Sequence, residues 1–271
     1  MSDPKRHHFV HVSYQKRFLA TETELYVLTN EYNKSLKLKT PSQICYEMHL
    51  HTVNLEGTKF LEIEKFYSSI EGQISKVLNF IDEGEKEHNS FWAEAIKIPN
   101  TQLILKFFIS IMFWRNPCQA ELAKKYSEKL LELYDAADNE ARIIIADRKT
   151  IKYIQKNRNK HDLFKVIQFL LLPLITFKIW DKNVLVSIAR VENHGVIVTC
   201  DNPVVFKTNV ENLFNFQDFY IPLDKYSFLT SATFEEGFVR AVDVNLDIAR
   251  NSKKYVMGAS QEMMNYIKER F

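Results

Sequence analysis

Apolar and polar positions alternate along Glu24 to Asn30 (ELYVLTN) and again along Ser35 to Lys39 (SLKLK), with an Asn-Glu-Tyr-Asn turn between them. Period-two alternation marks half-buried strands, so a hairpin is predicted here. Thr40-Pro41-Ser42 then predicts a helix start, with Ser42 near the cap and a short helix reaching about Tyr46. From Leu61 the period changes. Ile63, Phe66, Ile70, Ile74, Val77, Leu78 and Ile81 recur mostly at three- and four-residue spacings, which predicts an amphipathic helix over 61–83. The stretch 100–115 (NTQLILKFFISIMFWR) is apolar nearly all round and predicts a central helix, ended by Asn116-Pro117. Amphipathic helices are expected at 119–135 and 138–158, and a buried one at 162–180.

Beyond residue 182 the period returns to two. Val184–Val191, Val196–Thr199, Val204–Lys207, Asp218–Ile221 and Tyr226–Ala232 are predicted strands, with Asn193-His194-Gly195 as a hairpin turn. Helices are expected at 243–252 and 260–270, with a short strand at Tyr255–Met257 between them. The pattern predicts one α+β domain over residues 1–271. N-terminal strands occupy 1–55, the helical middle 56–181, and C-terminal strands and helices 182–271. The mostly helical middle is expected to pack on an antiparallel sheet built from both terminal segments.

Composition narrows the function classes. Hydrophobic residues make up 46% and charged residues 26%, a globular balance that argues against disorder. With 6 Gly and 7 Pro the chain is too poor in turn residues for an all-β sandwich. A formal charge of +2 leaves nucleic-acid binding to a local basic face, if there is one. Cys45, Cys118 and Cys200 lie far apart with no CxxC pair, which argues against a disulfide framework and a cysteine zinc site. The N-terminal MSDPKRHHFVHV carries no apolar run suited to a signal peptide, so the cytoplasm is the expected compartment. Leu163–Trp180 is interrupted by Lys165, Gln168, Pro173 and Lys178, so it predicts a core helix and no membrane partner. Phosphate-loop, dinucleotide-turn, zincin, nucleophile-elbow and EF-hand fingerprints are all missing.

Several polar residues remain as candidates. His7, His8 and His11 could ligate a divalent metal or act as bases near neutral pH; a flexible exposed tail is the plainer reading. Asp201 and Asn202 follow an apolar strand, where ligands and catalytic acids are often fixed, although Asp-Asn-Pro is also ordinary turn chemistry. Arg115 closes an apolar helix and needs an anion or water. Glu71 lies beside the apolar stripe of its helix, where a carboxylate needs a partner such as Arg115, a metal or a histidine. Arg148, Lys152 and Lys156 follow at four-residue intervals and form a basic strip that could track phosphates, or a solvated face paired with the acidic stretch Glu121–Glu140.

The order of these features resembles the domain-of-unknown-function family numbered 4238. The resemblance is carried by His7-His8-Phe9 running to Tyr14 and Phe18, Ile70-Glu71, Arg115-Asn116-Pro117, Thr199-Cys200-Asp201-Asn202-Pro203, Pro222-Leu223 and Asn245. The chain departs from that pattern at His11, where Pro is usual, at Gln15-Lys16 in place of Leu-Arg, and at Cys200 in place of Ser. The resemblance implies a polar site and transfers no activity. Two functions are carried forward. One is a hydrolase of phosphodiester bonds acting on nucleic acid or a nucleotide, with His7 or His8 as base or ligand, Glu71 and Asp201 as ligands or acid/base groups, Arg115 stabilising phosphate charge and Asn202 orienting. The other is a non-catalytic binding or regulatory module, in which the same residues form a structural polar network.

Overall fold

The computed structural model describes residues 5–29, 34–88, 91–137, 145–179, 184–191, 196–207, 214, 217–231 and 240–270. The turns expected at Asn30–Asn33 and Asn193-His194-Gly195 lie outside these, as does the start of the helix expected at 138–158. Strand β1 (Arg6–His8) is followed by the short helix α1 (Val12–Gln15), β2 (Leu25–Thr29) and β3 (Leu36–Lys39). Then come β4 (Tyr46–Met48), β5 (Val53–Leu55) and β6 (Thr58–Phe60). The middle holds α2 (Glu62–Glu87), α3 (Phe91–Ala95), α4 (Pro99–Trp114), α5 (Ala120–Ser127), α6 (Leu130–Ala136), α7 (Arg148–Lys156), α8 (His161–Val166) and α9 (Leu172–Ile179). The C-terminal part holds β7 (Val186–Arg190), β8 (Thr199–Cys200), β9 (Val205–Phe206), β10 (Phe219–Pro222), β11 (Ser227–Ser231), α10 (Ala241–Asn251), β12 (Tyr255–Gly258) and α11 (Gln261–Arg270).

The fold is α+β, with a largely helical middle against sheets built from terminal strands. One four-stranded sheet has the order β3-β2-β12-β8, and its pairs are antiparallel. This sheet joins the two ends of the chain: β12 pairs with β2, Val256 opposite Leu28. A second sheet, β7-β11-β10-β9, is wholly C-terminal. The expectation of a single shared sheet therefore resolves into a shared sheet and a C-terminal one. The pairs β1–β4 and β5–β6 complete the strands. A two-residue turn joins β5 to β6, with Glu56 and Gly57 both at positive φ, the backbone that Gly57 supplies without a Cβ clash.

The helix start near residue 40 is capped by Thr40 rather than Ser42. Thr40 and Gln43 form a reciprocal capping box around a single 3₁₀ turn, and the chain then leaves as β4 instead of continuing as helix to Tyr46. Helix α4 is central as its composition predicts, with Leu105, Phe108, Ile109, Met112 and Phe113 buried. The helix expected at 119–135 divides into α5 and α6. The buried helix 162–180 is divided as well, because α8 passes through a π turn over Ile167–Leu171 before α9. Pro173 lacks the N–H that would pair with the carbonyl four residues back, that of Phe169. The Tyr67 hydroxyl donates to that carbonyl at 2.5 Å and so ties α2 to the π turn. Among the described residues no helix is long and apolar enough to cross a membrane.

Candidate functional site

Glu64, Tyr67 and Glu71 stand at i, i+3 and i+7 of α2, so one face of the helix presents two carboxylates with an aromatic ring between them. The N-terminal strands bring the imidazoles. His7 sits mid-strand in β1, paired opposite Glu47 of β4. After β4 the chain turns through His49, held at a left-handed φ of 56°, and the Thr52 N–H donates to the His49 carbonyl at 3.1 Å. Lys165 of α8 donates to the carbonyls of His49 (3.1 Å) and Thr52 (2.9 Å), fixing the turn that carries His51.

Two groups result. In the first, the His51 Nδ1 meets Glu64 Oε2 at 2.7 Å, and the His7 Nδ1 stands 3.7 Å from the same oxygen. The His51 backbone N–H donates to His7 Nδ1 at 3.0 Å, so that ring nitrogen carries no proton. The two rings stack with centroids 5.3 Å apart, and Tyr67 and Phe169 meet the His51 ring edge-on. His7 and His51 are fully buried. Burial, opposed by the Glu64 hydrogen bond, pushes the His51 imidazole down to about 3, so it is neutral near pH 7. With Nδ1 engaged by Glu64, its Nε2 is buried without a hydrogen-bond partner. Burial raises the Glu64 carboxyl, but the His51 hydrogen bond and the Arg115 guanidinium outweigh it and hold the group below its usual range.

The second group lies two turns further along α2. Arg115 is 2% exposed, donates through Nη1 to Glu71 Oε1, and sits with Cζ 4.4 Å above the Tyr67 ring. The other Glu71 oxygen meets His11 Nε2 at 2.7 Å. Burial raises Glu71, yet Arg115 and His11 together hold it below the usual carboxylate range. His8, half-buried beside Tyr46, is lowered by burial, and its Nε2 also lacks a hydrogen-bond partner. A cleft of about 280 Å³ opens over this group, lined by His11, Ser13, Glu71, Ser75 and Arg115 and floored by apolar side chains such as Met112.

Three donor atoms, one each from His7, His51 and Glu64, lie within 4.8 Å of one another, the residue types and number that hold a catalytic divalent ion. Two imidazoles and one carboxylate are a set that zinc and other first-row ions accept.

Of the residues singled out in the sequence, His7, His8, Glu71 and Arg115 are gathered here. Asp201 and Asn202 meet a different set of partners. Both Asp201 carboxylate oxygens accept backbone N–H groups, from Lys253 at 2.8 Å and Lys254 at 2.7 Å. Burial raises this carboxyl against those donors. Asn202 accepts from Gln119 at 3.1 Å and donates to the Asn251 carbonyl at 3.2 Å. Asn116 links the two regions: it follows Arg115 in the chain and donates to the Asp201 carbonyl. The basic strip lies on α7. Arg148 is paired with Asp135 through Nε at 2.9 Å and Nη2 at 2.7 Å, while Lys152 and Lys156 are exposed. Sequence reasoning did not pick out His51, Glu64 or Ser13. The 64–67–71 spacing was the available signal for Glu64; His51 sits in a turn with no periodic neighbour.

The family model described as "Protein of unknown function (DUF4238)" matches residues 6–262. The chain belongs to this family. No curated protein and no solved structure matches it. The DUF4238 match spans both polar groups and the Asp201–Asn202 corner, so all of them fall inside the family's own extent.

Proposed function

We propose that this protein is a phosphodiester hydrolase, nuclease-like, working as one domain in the cytoplasm on nucleic acid or a nucleotide. The observation that carries the reading is the convergence on one face of α2 of two carboxylates, three histidines and a buried arginine beside a cleft. Arg115 would stabilise charge developing on a phosphoryl group. His8 and His11 supply proton-transfer groups. His7, His51 and Glu64 would hold a divalent cation, His7 once its Nδ1 is released from the His51 N–H, and the cation would supply Lewis acidity. Asp201 and Asn202 are assigned to the frame that fixes Asn116 behind Arg115. Lys152 and Lys156, with Arg148 where Asp135 releases it, would meet the nucleic-acid backbone.

The test is hydrolysis of bis(4-nitrophenyl) phosphate and of a labelled oligonucleotide with Mg²⁺, Mn²⁺ or Zn²⁺, against a chelator control. Turnover that needs a cation and falls at least ~100-fold in Arg115→Gln is expected. A folded protein that turns over neither substrate with any of the three ions overturns the reading. A second reading, a structural network without catalysis, is favoured by the near-complete burial of Arg115. In that case Arg115→Gln lowers the melting temperature and no turnover is found in any form.

A further inference from the structure

Resting on the hydrolase reading above, we propose that Ser13 is the covalent nucleophile of this site, with His11 as its base and Glu71 as the residue that positions the base. The chain of contacts is continuous. Ser13 Oγ lies 2.6 Å from His11 Nδ1, and His11 Nε2 lies 2.7 Å from Glu71 Oε2.

The proton positions follow from one backbone contact. The Ser13 N–H donates to His11 Nδ1 at 3.2 Å, and an amide N–H can only donate. Nδ1 therefore carries a lone pair, and the ring proton is on Nε2, donated to Glu71. The single Ser13 hydroxyl proton then points at Nδ1, and Ser75, 3.2 Å away, donates to Ser13 Oγ. This is the tautomer a general base needs, with a carboxylate steadying the imidazolium that forms. The ring nitrogens are used in the opposite order from the serine-protease arrangement, which leaves the chemistry unchanged.

A second observation stands apart from that relay. The Nε of Arg115, on the lining of the same cleft, is buried and has no hydrogen-bond partner. A buried guanidinium N–H left unpaired is a donor suited to an oxyanion. Nucleophile, base, positioning carboxylate and oxyanion donor thus share one cleft.

The substrate class is an ester of phosphoric acid. Ser13 Oγ attacks phosphorus as its proton passes to His11 Nδ1; the P–O bond to the leaving alcohol breaks, and that alkoxide takes the proton from Nδ1. Water then attacks the phosphoserine, giving its proton to Nδ1. The Ser13 Oγ–P bond breaks, Ser13 recovers the proton, and the monoester leaves.

The experiment is labelling of the full chain with a fluorophosphonate, the modified residue located by mass spectrometry and the rate followed against pH. His11 also caps α1, since its Nδ1 accepts the Ser13 N–H, so the variant of choice is His11→Asn, whose side-chain oxygen can keep the cap without acting as a base. We expect label on Ser13, a rate that rises as an imidazole loses its proton, and a loss of at least ~100-fold in His11→Asn. Glu71→Gln should move the midpoint of the pH–rate curve to lower pH, because the imidazolium loses its carboxylate. Absence of label on Ser13 in folded protein, or labelling unchanged in His11→Asn, overturns the proposal. The two readings fail separately. Labelled Ser13 with turnover of 4-nitrophenyl acetate but not of the phosphodiester sinks the phosphodiester reading and leaves the relay. Phosphodiester turnover that survives Ser13→Ala does the reverse.

Discussion

The α2 seam and the Asp201 corner use similar residues to opposite ends. In the seam, Glu64 and Glu71 are held by imidazoles and a guanidinium, groups that gain, lose or share protons, or carry a charge that a substrate can borrow. In the corner, Asp201 is held by two backbone N–H groups, whose protons never leave and whose positions are set by the chain. A carboxylate bound by imidazoles can exchange protons with them; one bound by amides cannot. The identity of the partner separates them, beside a difference in burial: Glu64 and Glu71 are partly buried and Asp201 is buried.

The sharpest way to break the contrast is Arg115→Ala. It strands Glu71 as a partly buried charge and removes the cation over Tyr67, with an expected stability loss of about 3–5 kcal/mol by chemical denaturation. A loss below about 1 kcal/mol would mean that Glu71 finds water or His11 instead. Asp201→Ala is the matched test in the corner. It strands the N–H groups of Lys253 and Lys254, both on exposed residues that water reaches, for an expected cost of about 1–3 kcal/mol. Any hydrolytic activity should persist in it, and a loss of activity without a loss of stability would return Asp201 to the site.

The third test is a slope. His51 stays neutral in the folded protein down to about pH 3, whereas the unfolded chain takes up that proton near pH 6.5. Metal-free protein should therefore lose stability as pH falls below 6.5, approaching ~1.4 kcal/mol per pH unit from this one group. Glu64 and Glu71, held low, add loss in the same direction only as pH drops below their unfolded values near ~4.3. His51→Gln should flatten the slope between pH 6.5 and 4.5; an unchanged slope there would assign it to other groups.

The sequence shows the frame better than the site. The three- and four-residue spacing of 61–83 marks α2, and the all-round apolar 100–115 marks α4, because both patterns follow from burial alone. Period two marks β2, where Leu25 and Val27 are buried, whereas every residue of β10 and β11 is buried and none of β3 is. The site depends on which loops meet which helix face. Glu71 was visible as a charge beside an apolar stripe, and Arg115 as a charge ending one. His51 has no such local signature: it reaches Glu64 because a left-handed His49 and the amine of Lys165 set its turn, and neither is a pattern in the chain. The cap lies at Thr40, two residues before the expected Ser42, because Gln43 stands three residues after Thr40 and closes a capping box with it, although Ser is the stronger cap by itself.

Pro173 is none of the seam's acids, bases or cations, yet its missing hydrogen works like a keyway. The carbonyl with which its nitrogen cannot pair, that of Phe169, receives the Tyr67 hydroxyl, which indexes α2 against the π turn and places the Tyr67 ring under the guanidinium. The alignment of the seam is thus written partly in a helix that supplies none of its acids, bases or cations, and a lineage could retune the spacing of its polar groups by moving one imino acid.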